Sequence, residues 1–115
     1  MTQGCTKPHN PPDVKEGPIL KPAVYVLLCG DGSLYTGATV DLARRLRSHR
    51  RQKAAKYTRG RLPLVLLAWW YPRSFAQAKS HEALFKRLRR SAKLAALSAG
   101  AIYGCRVYRG GLAEA

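Results

Sequence analysis

The first ordered hydrophobic pattern in the chain begins at Ala23, where Val24-Tyr25-Val26-Leu27-Leu28-Cys29 form an apolar run rich in β-branched and aromatic residues. Gly30-Asp31-Gly32-Ser33 interrupts it and Leu34-Tyr35-Thr36-Gly37 follows, so the spacing predicts a β-hairpin. Thr39 can cap the next element, Asp41 suits the positive end of a helix dipole, and good helix formers continue through Arg51, which predicts a first helix directly after the hairpin. Leu64 to Tyr71 is continuously apolar between Pro63 and Pro72, the pattern of a central strand covered on both faces. Ser74 with Gln77 three residues on makes a capping box, and helical composition then continues to about Arg90. Ala92 to Ala99 reads as a short third helix stopped by Gly100, and Ile102 to Tyr108 as a marginal edge strand.

This order describes an α/β or α+β sandwich, a small sheet with helices packed against it. Ahead of it, Pro8, Pro11, Pro12, Pro18 and Pro22 supply five of the seven prolines and there is almost no hydrophobic periodicity. The expected organisation is therefore a flexible tail over 1–21, a folded domain over 22–100 and a short C-terminal extension over 101–115. No internal repeat is present.

Helical phase singles out residues that sit in unexpected places. With Leu42 at zero and about 100° per residue, Leu46, His49 and Arg45 share or flank one face, while Arg44, Arg47 and Arg51 fall opposite. An arginine on an inward flank needs an anion or a carboxylate, and its rigid fork suits phosphate oxygens. The competing reading is that Arg45 snorkels and His49 is a satisfied histidine at the edge of the core. In the second helix Glu82 falls inside the stripe of Phe75, Ala78 and Phe85, so it should meet a metal ion or a cation such as Arg45; a purely architectural Arg45–Glu82 pair is the alternative. Tyr25 and Tyr35 lie on the two hairpin strands. A turn of odd length puts both on one face and an even one separates them.

Charge narrows the partner. Lys and Arg number 21 against 6 Asp and Glu, a formal net charge of +15, which is more than solubility requires and calls for a polyanion, nucleic acid or an anionic membrane surface. The apolar run 62–71 is too short to span a membrane, and the N-terminus lacks the charged-then-apolar pattern of a secretory signal. The three cysteines, Cys5, Cys29 and Cys105, show no CxxC or Cys/His ligand spacing, so a cytoplasmic protein without disulfides or zinc is expected.

Val24-Tyr25-Val26, Tyr35-Thr36-Gly37, Arg45-Leu46, His49 and Glu82, in that order and spacing, resemble the GIY-YIG nuclease domain. The similarity runs from about Ala23 to Leu97, and the segment from Ala55 to Pro63 is similar to the small stand-alone bacterial subfamily. The resemblance implies a three-stranded mixed sheet flanked by helices, with Tyr25, Tyr35, Arg45, His49 and Glu82 as catalytic residues on one concave face. It implies hydrolysis of phosphodiester bonds of DNA, favoured over RNA, leaving a 5′-phosphate and a 3′-hydroxyl, in repair or recombination. Glu82 would hold Mg²⁺ or Mn²⁺, with no small-molecule cofactor, and Arg45 would stabilise charge on the non-bridging oxygens. Tyr35 is the favoured base and Tyr25 positions the water, while His49 takes part in proton transfer or holds a phosphate. Lys53, Lys56, Tyr57, Arg59 and Arg61 would contact the nucleic-acid backbone. The chain departs from the family's pattern at Val24, Thr36 and Ala38, and it has no asparagine after Glu82. Rival readings are a nucleic-acid-binding module with a decayed nuclease site and a small basic ribosome-associated protein.

Overall fold

The computed structural model describes residues 20–52 and 56–110. The expected tail over 1–21 falls almost wholly outside the described residues, as do Lys53 and the end of the expected extension, 111–115.

Strands β1 (Ala23–Leu28) and β2 (Leu34–Thr39) form the expected hairpin, followed by α1 (Leu42–Arg50), β3 (Val65–Trp70), α2 (Phe75–Lys86) and α3 (Arg90–Ser98). Three two-residue strands complete the described chain: β4 (Ala101–Ile102), β5 (Cys105–Arg106) and β6 (Tyr108–Arg109). The main sheet has the order β2-β1-β3-β6, and β4 pairs with β5 as a separate small hairpin.

The architecture is α+β, but the sheet is antiparallel throughout and four-stranded, where a mixed sheet of three strands was expected. Topology gives the reason. β2 and β3 both run antiparallel to β1 and so run parallel to each other, yet β1 lies between them and no parallel ladder forms. Because β1 has neighbours on both sides and layers on both faces, it is the strand buried throughout, all but Leu28. β3, expected to be covered on both faces, instead alternates buried and half-buried positions.

Alternation along β1 sorts the core into two layers. Val24 and Val26 pack with Ala78 and Phe85 of α2 and Leu97 of α3, together with Trp70, Ile102 and Val107. Tyr25, Leu27 and Cys29 pack on the opposite face with Leu64 and Leu66, under Leu42 and Leu46 of α1. The unbroken apolar run of β3 serves both layers through a bulge: Val26 faces Ala68 and Leu27 faces Leu66, so Leu67 is extra. The Leu67 carbonyl accepts from the Gly110 N–H at 2.9 Å, and any side chain at Gly110 would collide with the Leu66 carbonyl oxygen.

Capping differs in one place from expectation. Asp41, not Thr39, caps α1, its Oδ1 accepting from the Arg44 N–H at 3.1 Å, while Thr39 Oγ1 accepts from the Asp41 N–H at 3.1 Å and sets the cap in place. Ser74 Oγ caps α2 by accepting from the Gln77 N–H at 3.1 Å, as the spacing predicts. Among the described residues no helix is long and apolar enough to cross a membrane.

Candidate active site

Five residues, Cys29 to Ser33, separate the paired ends Leu28 and Leu34, an odd number that places Tyr25 and Tyr35 on one face. Tyr25 sits opposite Gly37 and Leu27 opposite Tyr35. The two rings lie 6.3 Å apart, and the imidazole of His49, delivered by α1, meets both at 5.5 and 5.3 Å. Gly37 makes room for this packing: a Cβ there would stand 2.5 Å from Tyr25 Oη and 2.6 Å from Cζ. Gly37→Ala is expected to lose about 1–3 kcal/mol by overpacking and to push the Tyr25 ring aside. Urea unfolding measures this, and an unchanged midpoint would mean the ring has space that the geometry denies it.

Tyr25, His49 and Thr58 form a buried chain of hydrogen-bonding groups, Tyr25 Oη to His49 Nε2 at 2.8 Å and His49 Nδ1 to Thr58 Oγ1 at 2.9 Å. Burial pushes the Tyr25 phenol well above its ordinary range, with Tyr35 adding to the rise, Arg45 opposing it and Glu82 reinforcing it. Burial, with the guanidinium of Arg45, pushes His49 down to about 4. At neutral pH both groups are therefore uncharged.

The low His49 value has a consequence for stability. The unfolded chain binds a proton near its ordinary value of 6.5 and the folded one only near 4, so stability is complete above about 6.5 and lost as pH falls toward 4. The loss should reach ~3 kcal/mol, since each pKa unit corresponds to about 1.4 kcal/mol. Urea titrations at pH 7, 6 and 5 test it, and His49→Gln should flatten the slope; an equal slope in that variant would assign the effect to other groups.

The position of Glu82 in the apolar stripe of α2 holds, for it lies between buried Ala78 and Phe85 and is itself only 8% exposed. Its partners are not those expected. Lys86 Nζ lies 2.7 Å from Oε2 and Lys79 Nζ 3.1 Å from Oε1, so among the described residues Glu82 is paired along its own helix and not with Arg45. Burial works to raise its pKa and the two ammonium groups overcome this, leaving it lowered. Oε1 is close enough to Lys79 for an ion pair but not aligned as a hydrogen bond, which leaves a buried carboxylate oxygen without one. No three His, Cys, Asp or Glu side chains come together among the described residues. A single carboxylate with one unsatisfied oxygen suits Mg²⁺, which keeps most of its waters, and does not suit zinc.

Arg45 is half-buried, close enough to Tyr25 and His49 to influence both, and it borders a cleft of 540 Å³ with Arg44, Asp41 and Ser48. The basic loop divides into two groups. Lys56 and Arg59 are exposed. Tyr57 stacks on Tyr35 at 5.7 Å, and Arg61 lies over Tyr57 at 4.2 Å while pairing with Asp31 at 2.8 Å and donating to the Tyr57 carbonyl. This staple fastens the loop to the hairpin turn, where the Gly30 N–H also donates to the Arg61 carbonyl. Thr58 escaped the sequence reading because a loop hydroxyl carries no periodicity that would mark it as buried. Ala38 is half-buried against the α2 layer.

In comparison with known proteins, residues 21–95 match the family described as the GIY-YIG catalytic domain. The chain belongs to the GIY-YIG family, a nuclease family by its domain. Within it, the chain falls with the UPF0213 proteins, small stand-alone bacterial proteins. A UPF0213 protein of Streptococcus sanguinis is 56% identical over 65% of this chain and 86% of its own length. One from Streptococcus agalactiae is 54% identical over 62% and 81% respectively. A UPF0213 protein of Bacillus halodurans, solved by NMR, shares 42% identity over 74% of this chain and 87% of its own, with a TM-score of 0.48.

Proposed function

We propose that this protein is a cytoplasmic, Mg²⁺-dependent endonuclease that hydrolyses phosphodiester bonds of DNA, with a role in repair or recombination. The observation that carries the reading is the convergence of Tyr25, Tyr35 and His49 on one face, with Arg45 and Glu82 close enough to Tyr25 to influence its charge. Tyr25 is committed to His49 and held protonated by burial, which suits it to orient the attacking water. Tyr35 is only half-buried and is the phenol left to accept the water's proton. The water oxygen attacks phosphorus, the bond to the 3′-oxygen breaks, that oxygen takes a proton from solvent, and a 5′-phosphate and a 3′-hydroxyl result. Arg45, half-buried and close enough to Tyr25 and His49 to influence both, stabilises charge on the non-bridging oxygens. Glu82 would hold the divalent ion, which when bound would supply Lewis-acid polarisation of the phosphate. His49, neutral and enclosed, holds Tyr25 in place and does not itself donate to the leaving group.

The test is incubation with duplex, branched and single-stranded DNA in Mg²⁺, Mn²⁺ and chelator, followed by end-group analysis. Metal-dependent cuts with 5′-phosphate ends support the reading; no cleavage of any substrate would favour a binding module with a decayed site, the alternative that the two lysines on Glu82 speak for.

Thr58 enters as a positioning residue. Thr58→Val keeps the shape but removes the hydrogen bond to Nδ1, and cleavage is expected to fall about tenfold as His49 loses its fixed tautomer, with Thr58→Ser restoring it. Imidazole ¹⁵N shifts separate this from a merely loosened loop: unchanged tautomer populations in Thr58→Val would refute the assignment.

A further inference from the structure

Away from the tyrosine and histidine group, the same face of the sheet carries a second set of rings. Trp69 stands opposite Tyr25 in register and opposite Tyr108 of β6 on its other side. The Trp69 and Tyr108 rings stack at 5.8 Å and 16°, and Tyr71 meets Tyr108 edge-on at 5.7 Å. None of the three is fully buried, and Tyr108 is 38% exposed.

Cations lie over these rings. Lys21 Nζ is 4.0 Å from the centre of Tyr71, and Arg106 is 5.2 Å from that of Tyr108. Among the described residues neither of these two basic side chains pairs with a carboxylate. A cleft of 230 Å³ joins Lys21 and Tyr71 to Asp41, Leu42 and Ala43 at the start of α1, the helix that carries Arg45.

Rings that pack only as core need no unpaired cations above them. Rings beside free cations are what a single-stranded nucleic acid requires, since bases stack on aromatic faces and phosphates pair with Lys and Arg. A blunt duplex offers only its phosphates, because its bases are already stacked on one another. We propose that Trp69, Tyr71 and Tyr108, with Lys21 and Arg106, form a stacking surface for a single-stranded segment of nucleic acid. The preferred substrate of the site is then a molecule with a single-stranded arm. This rests on the nuclease reading for its substrate, though the surface itself does not depend on catalysis.

Binding of a fluorescein-labelled oligodeoxythymidylate and of a blunt duplex to the full chain, both in chelator, tests the surface apart from cleavage. Tyr108→Leu keeps apolar bulk on Trp69 but removes a π-face. It should weaken oligonucleotide binding about 5- to 140-fold, the equivalent of ~1–3 kcal/mol per stacked base, and leave duplex binding unchanged. Tyr108→Phe should bind as the parent does, and the oligonucleotide should quench tryptophan fluorescence in the parent. Equal binding by Tyr108→Leu, a parallel loss of duplex affinity, or quenching by anionic vesicles and not by the oligonucleotide would each overturn the proposal. Should the protein cut nothing in Mg²⁺ while Tyr108→Leu still loses the oligonucleotide, the nuclease reading falls and the stacking surface stands.

Discussion

Glu82→Gln is expected to reduce cleavage to the level measured in chelator while leaving the melting temperature close to that of the parent. The change keeps size and shape but removes the charge that would hold the divalent ion. Stability responds little because of which cations are left behind. The Lys79 and Lys86 side chains are 58% and 50% exposed and return to water when the carboxylate is lost. Had Glu82 been the partner of an enclosed Arg45, the same substitution would strand a buried cation and cost ~3 kcal/mol or more. Calorimetry and a cleavage assay on one preparation separate the two accounts. A variant that melts far lower yet still cuts with Mg²⁺ would end the metal-ligand assignment.

Arg45→Ala should lower the single-turnover cleavage rate by about 10²–10³, the usual effect of removing one donor to a developing oxyanion. Nucleic-acid affinity should change little, because Arg45 is one of 21 basic residues and total phosphate neutralisation is spread over them. The fold should persist as well, since no carboxylate among the described residues relies on Arg45. Cutting at near the parent rate would remove Arg45 from the chemistry, whereas a matching collapse of affinity would make it a binding residue only.

These expectations start from residues that the sequence had already set apart, and it matters which physical signals reached that far. Helical phase is a local property, so the inward turn of His49 and Glu82 could be read from spacing, and both are buried. Partner choice is tertiary: phase says that Glu82 faces inward but not that Lys79 and Lys86, one turn away on either side, reach it before Arg45 does. The same limit applies to the sheet. Hydrophobic runs located β1, β2 and β3, but a continuous apolar run could not distinguish a strand covered on both faces from a bulged one, and Leu67 proved to be the extra residue. β6 has only two residues, too few for any periodicity, and its place beside β3 depends on pairing across the fold. Thr58 and the Arg61–Asp31 staple join segments some 9 to 30 residues apart, through side chains with no pattern of their own.

The five-residue turn from Cys29 to Ser33 also bears on how this chain can change in length. Side chains alternate with period two, so removing or adding one residue there turns Tyr35 to the α2 side or forces β2 to slip along β1. A slip would separate Gly37 from Tyr25, whose ring needs the space a missing side chain leaves. Only paired insertions or deletions keep the two phenols together, which makes the hairpin tip intolerant of odd changes in length even though Asp31 and Gly32 are exposed.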